Sequence, residues 1–196
     1  MLTKEGGERH VILMAMQPEP RIAAPELTKL FDESEISARV EELARAAAPR
    51  LPGSFVVVGL LVGSFVFVAD LVRALYRNGC KPSVDFMRLG SYGNARESSG
   101  SVRLLGDLEL DLSGRAVLLV DDIVDTGRTL LYACDLLRER QASSIVTCAL
   151  VDKPSRREVS MEVDLVGFTI PDVFIVGYGI DYANEYRHLP FIAKID

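Results

Sequence analysis

The sequence is poor in what several familiar kinds of site require. Its three cysteines, Cys80, Cys134 and Cys148, sit in or beside apolar segments without metal-ligand spacing, which argues against a thiolate metal site and for buried thiols in a reducing compartment. There is no Lys/Arg stripe, and the net charge is −6 with a pI near 5.1. Nucleic acid is therefore not an expected partner, and an anionic ligand would have to be held by local donors or metal ions. The longest apolar runs, such as 55–62, are far too short to span a bilayer. Near the start, Glu5, Glu8 and Arg9 precede only a brief apolar stretch at 11–16. Neither a membrane nor an export signal is expected, and cytoplasm follows by default. Internal repeats, low-complexity tracts and long linkers are also missing. With 196 residues, 48% of them hydrophobic, the chain can bury a full core as one domain, 1–196.

What is present centres on 117–130, Val-Leu-Leu-Val-Asp-Asp-Ile-Val-Asp-Thr-Gly-Arg-Thr-Leu. Four apolar residues in a row predict a strand buried on both faces, with Asp121 and Asp122 emerging at its C-terminal edge, where ligands of open α/β sheets gather. Asp125, Thr126, Gly127, Arg128 and Thr129 then supply a glycine, hydroxyls and a cation ahead of a helical apolar pattern at Leu130, Leu131, Cys134 and Leu137. A turn of this kind before a helix N-terminus is a phosphate seat. Acidic shelf and anion cradle together suit a ligand with sugar hydroxyls and a phosphate. The segment carries neither G-x-x-x-x-G-K-[ST] nor G-x-G-x-x-G. The alternative is an ordinary helix start with Asp125 as its N-cap.

Elsewhere, residues 1–34 are interrupted by Pro18, Pro20 and Pro25 and are read as an arm packing on the core or on a neighbouring subunit. Ser34 or Ser37 is the expected cap of a helix with Ile36, Val40, Leu43 and Ala47 on one face, closed by Pro49 and Pro52. Residues 54–61 predict a core strand, followed after Gly63-Ser64 by a helix with Phe65, Val68, Leu71, Val72 and Leu75 inward. Strands are expected at 84–89, 102–105, 108–112, 117–120 and 144–151, with a Gly/Ser-rich loop at 90–101 as either a spacer or a mobile lid. This alternation predicts a mostly parallel sheet with helices on both faces. The tail, with short strands at 162–168 and 174–178, is expected to form a small cap above the sheet edge.

The central motif resembles the phosphoribosyl-pyrophosphate signature of type I phosphoribosyltransferases. The tail, from Val151-Asp152-Lys153-Pro154 through 166–172 to Val176-Gly177-Tyr178-Gly179-Ile180-Asp181-Tyr182, resembles the branch that uses 6-oxopurines, the hypoxanthine phosphoribosyltransferases. The likeness covers roughly residue 36 onward. It implies an α/β fold with a twisted, mostly parallel sheet, a core at about 54–165, and a hood built from about 1–53 and 166–196. It also implies transfer of the phosphoribosyl group from phosphoribosyl pyrophosphate to hypoxanthine, with guanine as a second substrate, in purine salvage, with Mg²⁺ as cofactor and a homodimer or homotetramer.

By that resemblance, Asp121 and Asp122 meet the ribose hydroxyls directly or through a magnesium-bound water, Asp125 is the general base, and Thr126 to Thr129 hold the 5-phosphate. Lys153 donates to the purine's exocyclic oxygen, Phe174 stacks on the base, and the Ile175 backbone meets its polar edge. Asp181 is a further magnesium ligand near the purine, and Arg187 a pyrophosphate contact. Leu61, Val62, Gly63 and Ser64 form the pyrophosphate loop, and Ser91 and Tyr92 begin the lid. Many relatives carry lysine where this chain has Val62. Taken without the resemblance, Lys153 also fits a solvated strand end, Phe174 a core ring, and Asp181 and Arg187 surface charges. The competing function is a non-catalytic regulator that keeps the phosphoribosyl-pyrophosphate pocket.

Overall fold

A computed structural model describes residues 25–92 and 101–196. The arm at 1–24 and most of the expected lid lie outside the described residues, as do the side chains of Ser91 and Tyr92. The elements are β1 (Leu27–Phe31), α1 (Glu33–Ala47), β2 (Phe55–Leu61), α2 (Phe65–Arg77), β3 (Ser83–Tyr92), β4 (Ser101–Gly106), β5 (Ala116–Val124), α3 (Arg128–Glu139), β6 (Ser144–Asp152), β7 (Leu165–Thr169), β8 (Ile175–Val176) and β9 (Ile192–Ile195). The six-stranded sheet runs β4-β3-β2-β5-β6-β7. All its pairs are parallel except the β3–β4 hairpin at one edge.

Alternation along the central strands explains why both faces carry helices. Phe55, Val57, Leu118, Val120, Cys148 and Leu150 face α1 and α2. Their neighbours Val56, Val58, Val117, Leu119 and Ala149 face α3 on the opposite side. A strand apolar at every position can be satisfied only between two layers, which is why β2 and β5 read as unbroken runs. Burial pushes the Cys134 thiol up to about 11 and Cys148 up to about 12, so both are neutral packing groups.

Several local expectations are corrected. Helix α1 starts earlier than Ser34 or Ser37: Asp32 is the N-cap, accepting from Glu35 N at 2.9 Å while the Glu35 side chain accepts from Asp32 N at 2.8 Å. This is a reciprocal capping box. It packs with α2 on the main sheet rather than within the hood. In α2, Val68, Leu71 and Leu75 face inward as expected, but Phe67 and Ala74 join them in place of Phe65 and Val72, and Phe65 is left exposed. Residues 108–112 form no strand despite alternating leucines. The Asp85 carboxylate instead accepts from Glu109 N and Leu110 N, both at 2.8 Å, and folds the segment into an irregular turn.

A second, antiparallel sheet, β1-β9-β8, joins the two ends of the described chain. Sequence reading foresaw neither β1 nor β9. The main sheet thus presents the C-terminal edges of β2, β5 and β6, while the small sheet carries the segment with Phe174.

Candidate active site

The acidic pair lies at the end of β5. Asp121 is buried with only 7% of its surface exposed, and Asp122 is partly buried beside it. Burial, reinforced by the neighbouring Asp122 charge, pushes the Asp121 carboxyl well above the usual carboxylate range. Burial likewise raises Asp122, with the Arg187 charge acting in the opposite sense. Two carboxylates placed together out of water are costly unless donors or a cation meet them.

Facing the pair is the loop after β2. The Leu61–Val62 peptide is cis, and Gly63 lies so close that a Cβ there would overlap the Asp122 carboxylate. Ser64 turns its hydroxyl inward to donate to Leu60 O at 2.6 Å, so it offers a ligand no side chain. Val62 is 41% exposed at the rim.

The turn into α3 completes this wall. Gly127, at φ 83°, occupies the N-cap position, and no side chain caps the helix. That disposes of the N-cap alternative for Asp125. Thr126 Oγ1 accepts from Arg128 N at 3.4 Å, and the Arg128 guanidinium is paired with Glu158 at 2.8 Å. One cavity of about 220 Å³ gathers Leu61, Val62, Gly63, Asp121, Asp122, Asp125, Thr126, Gly127 and Thr129. Arg128 and Ser64 are not among its lining residues.

The remaining expected residues stand around this cavity. Lys153, at the end of β6, is 6% exposed, and no carboxylate pairs with it among the described residues. An ammonium without a counter-ion at this strand end can donate to an acceptor on a ligand. Phe174 is 53% exposed and meets Tyr182 edge-on at 5.5 Å between ring centroids, so it is a surface ring and not a core one. Ile175 is buried in β8. Asp181 and Arg187, expected as separate contacts, form an ion pair at 2.6 Å, and Asp181 also accepts from Asn184 N at 2.8 Å.

Sequence reading missed four arginine contacts that tie the regions together. Arg156 Nε donates to Asp125 Oδ1 at 3.0 Å, and its Nη1 lies 3.5 Å from Asp172, two residues before Phe174. Arg157 donates to Asp125 O at 2.7 Å and pairs with Asp152. The Arg156-Arg157 doublet after Lys153-Pro154 was the visible signal, but its partners are distant in the chain. A larger cavity of about 550 Å³ between α1, α2 and 178–190 includes Tyr178 and Arg187 but none of the acidic motif.

A strand ending in paired carboxylates, a glycine turn at a helix start and an apposed glycine loop thus line one cavity at the C-terminal edge of the sheet. The chain belongs to the type I phosphoribosyltransferase family, the family model of the phosphoribosyl transferase domain matching residues 28–183. Within it the similarity is to hypoxanthine phosphoribosyltransferases. The Escherichia coli K12 hypoxanthine phosphoribosyltransferase is 47% identical over 169 residues, covering 85% of this chain and 93% of the relative. The Bacillus subtilis hypoxanthine-guanine enzyme is 42% identical over 167 residues, with 85% and 91% covered. A crystal structure of a hypoxanthine-guanine phosphoribosyltransferase from Bacillus anthracis superimposes with a TM-score of 0.81 at 42% identity, covering 87% of this chain and all of that one.

Proposed function

We propose that the protein transfers the phosphoribosyl group of phosphoribosyl pyrophosphate to hypoxanthine, and to guanine as a second substrate, for purine salvage. The observation carrying this reading is the single cavity in which the 61–63 loop, the Asp121–Asp122 pair and the 125–129 turn share one wall.

In this reading the bond from the sugar's anomeric carbon to pyrophosphate breaks as the bond to a purine ring nitrogen forms, and the ring proton passes to Asp125. Asp121 and Asp122 accept from the ribose hydroxyls, donors that offset the cost of burying both carboxylates. The amides of 126–129 hold the 5-phosphate at the start of α3. Lys153 donates to the exocyclic oxygen, Phe174 supports the ring face, and the Ile175 backbone meets its edge. Arg156 must share Asp125 when the base arrives. The lid function of Ser91 and Tyr92 belongs to the same proposal.

Among the described residues no three His, Cys, Asp or Glu side chains cluster to form a metal cage. Single carboxylates at Asp181 and at Asp121–Asp122 fit Mg²⁺, which prefers a few hard oxygens completed by substrate phosphates. When bound, the ion would neutralise the departing pyrophosphate. No helix among the described residues is long and apolar enough to cross a membrane. A cytoplasmic location and an assembly of two or four copies complete the proposal, the assembly read by light scattering.

Steady-state assays with hypoxanthine, guanine and xanthine, each with phosphoribosyl pyrophosphate and Mg²⁺, test the activity. Turnover with hypoxanthine is expected. Binding of phosphoribosyl pyrophosphate without turnover on any base would favour the regulator instead.

A further inference from the structure

We propose that Tyr178 is a positioning residue for the pyrophosphate side of the site: its hydroxyl, held by Asp70 on α2, seats the 177–181 turn on Gly63 so that Asp181 and Arg187 face the leaving group. The inference rests on the phosphoribosyl-pyrophosphate reading above and goes beyond it.

Tyr178 sits at φ 49° between Gly177 and Gly179, each at φ 99°. Three consecutive left-handed residues are an unfavourable local arrangement, and a tyrosine in the middle needs an outside constraint to keep it there. The constraint comes from 108 residues earlier in the chain, where the Tyr178 hydroxyl donates to Asp70 Oδ2 at 2.6 Å. The other Asp70 oxygen accepts from Arg73 at 3.1 Å, so the acceptor is itself held on the helix. Burial, with Asp70 adding to it, pushes the Tyr178 phenol far up, and it stays a donor at any working pH.

The turn is rigid around this anchor. Tyr178 N donates to Leu189 O at 2.8 Å and Gly179 N to Arg187 O at 3.0 Å. Arg187 Nη1 returns to Gly179 O at 2.6 Å while its Nη2 pairs with Asp181 at 2.6 Å. Asp181, Arg187 and the turn therefore move as one piece. That piece rests directly on the loop after β2, because a Cβ on Gly179 would overlap the Gly63 carbonyl oxygen. Gly63 in turn abuts Asp122. The Asp70–Tyr178 bond ties this stack to α2, so its loss is felt more where magnesium pyrophosphate binds than at the purine.

The test is calorimetric titration of magnesium pyrophosphate into the wild type, Tyr178→Phe, Asp70→Ala and Asp70→Asn, with steady-state KM values alongside. Removing one hydrogen bond to a charged acceptor should weaken pyrophosphate binding about tenfold in Tyr178→Phe and in Asp70→Ala. The KM for phosphoribosyl pyrophosphate should rise in proportion while that for the base holds. Asp70→Asn keeps an acceptor oxygen and should stay near wild type, and the double variant Tyr178→Phe/Asp70→Ala should be no worse than either single. Unchanged pyrophosphate affinity in Tyr178→Phe, equal rises in both KM values, or additive losses in the double variant overturn the inference. A wild type that binds magnesium pyrophosphate but turns over no base would sink the transferase reading and leave the clasp standing. A wild type that binds no pyrophosphate overturns the clasp.

Discussion

Gly63 and Asp122 are packed so closely that even a methyl group on the glycine has no room beside the carboxylate. Gly63→Ala must move either the loop or Asp122. Displacements of this order at a reacting centre cost about a hundredfold in rate, so kcat/KM for phosphoribosyl pyrophosphate should fall by about that factor while circular dichroism shows the fold intact. A variant with wild-type kinetics would show that the two residues do not share a ligand.

Asp121 should weaken the fold at neutral pH. Its carboxyl is raised in the folded state by burial and by Asp122, so the folded protein binds that proton more tightly than the unfolded chain. The associated stability is complete below the unfolded value near 3.8 and is lost as pH rises through the higher folded value. Asp121→Asn is therefore expected to melt a few degrees higher than wild type at pH 8, on the scale of roughly 2–4 °C per kcal/mol for a chain of this size. The gain should vanish at pH 3.5, and affinity for phosphoribosyl pyrophosphate should fall. A stability gain independent of pH would show that the carboxylate charge is not its source.

Asp125→Asn tests the base. The Asp125 side chain is 42% exposed and its ion pair with Arg156 is open to solvent to a similar degree, so stability should change by less than about 1 kcal/mol. Turnover should drop by a factor of about 10² to 10⁴ with substrate dissociation constants nearly constant. If kcat and binding decline together, Asp125 positions substrate and does not accept the proton.

Phe174 offers a contrast between platform and core. Its ring is more than half exposed, so Phe174→Ala should leave the melting temperature within a degree or two. Loss of a base-stacking surface worth about 1–3 kcal/mol should raise the KM for purine at least several-fold and spare that for phosphoribosyl pyrophosphate. A collapse in stability would return the ring to a packing role.

The central part of this architecture was legible because its signals are local. The unbroken apolar run 117–120 followed by carboxylates and a helical period forces a two-faced strand, a turn and a helix, and β5 and α3 follow that order. Phase and caps were less legible. The start of α1 depended on Asp32 pairing reciprocally with Glu35, and the inward face of α2 depended on whether Phe65 or Phe67 met the sheet. Contacts between distant residues left no local trace: β1 and β9 exist through each other's hydrogen bonds, Arg156 finds Asp125 across 31 positions, and leucines 108, 110 and 112 alternate like a strand until Asp85 captures the backbone between them.

The central position of β9 in the small sheet has a practical outcome. Both β1 and β8 bond to it and neither bonds to the other, so a protease cut just after Pro190 would orphan two strands at once. Damage would spread to the neighbourhood of Phe174, yet the sugar-phosphate half, assembled on β2, β5 and α3, has its own supports. Clipped protein should accordingly retain its grip on the phosphorylated pentose while losing discrimination among bases.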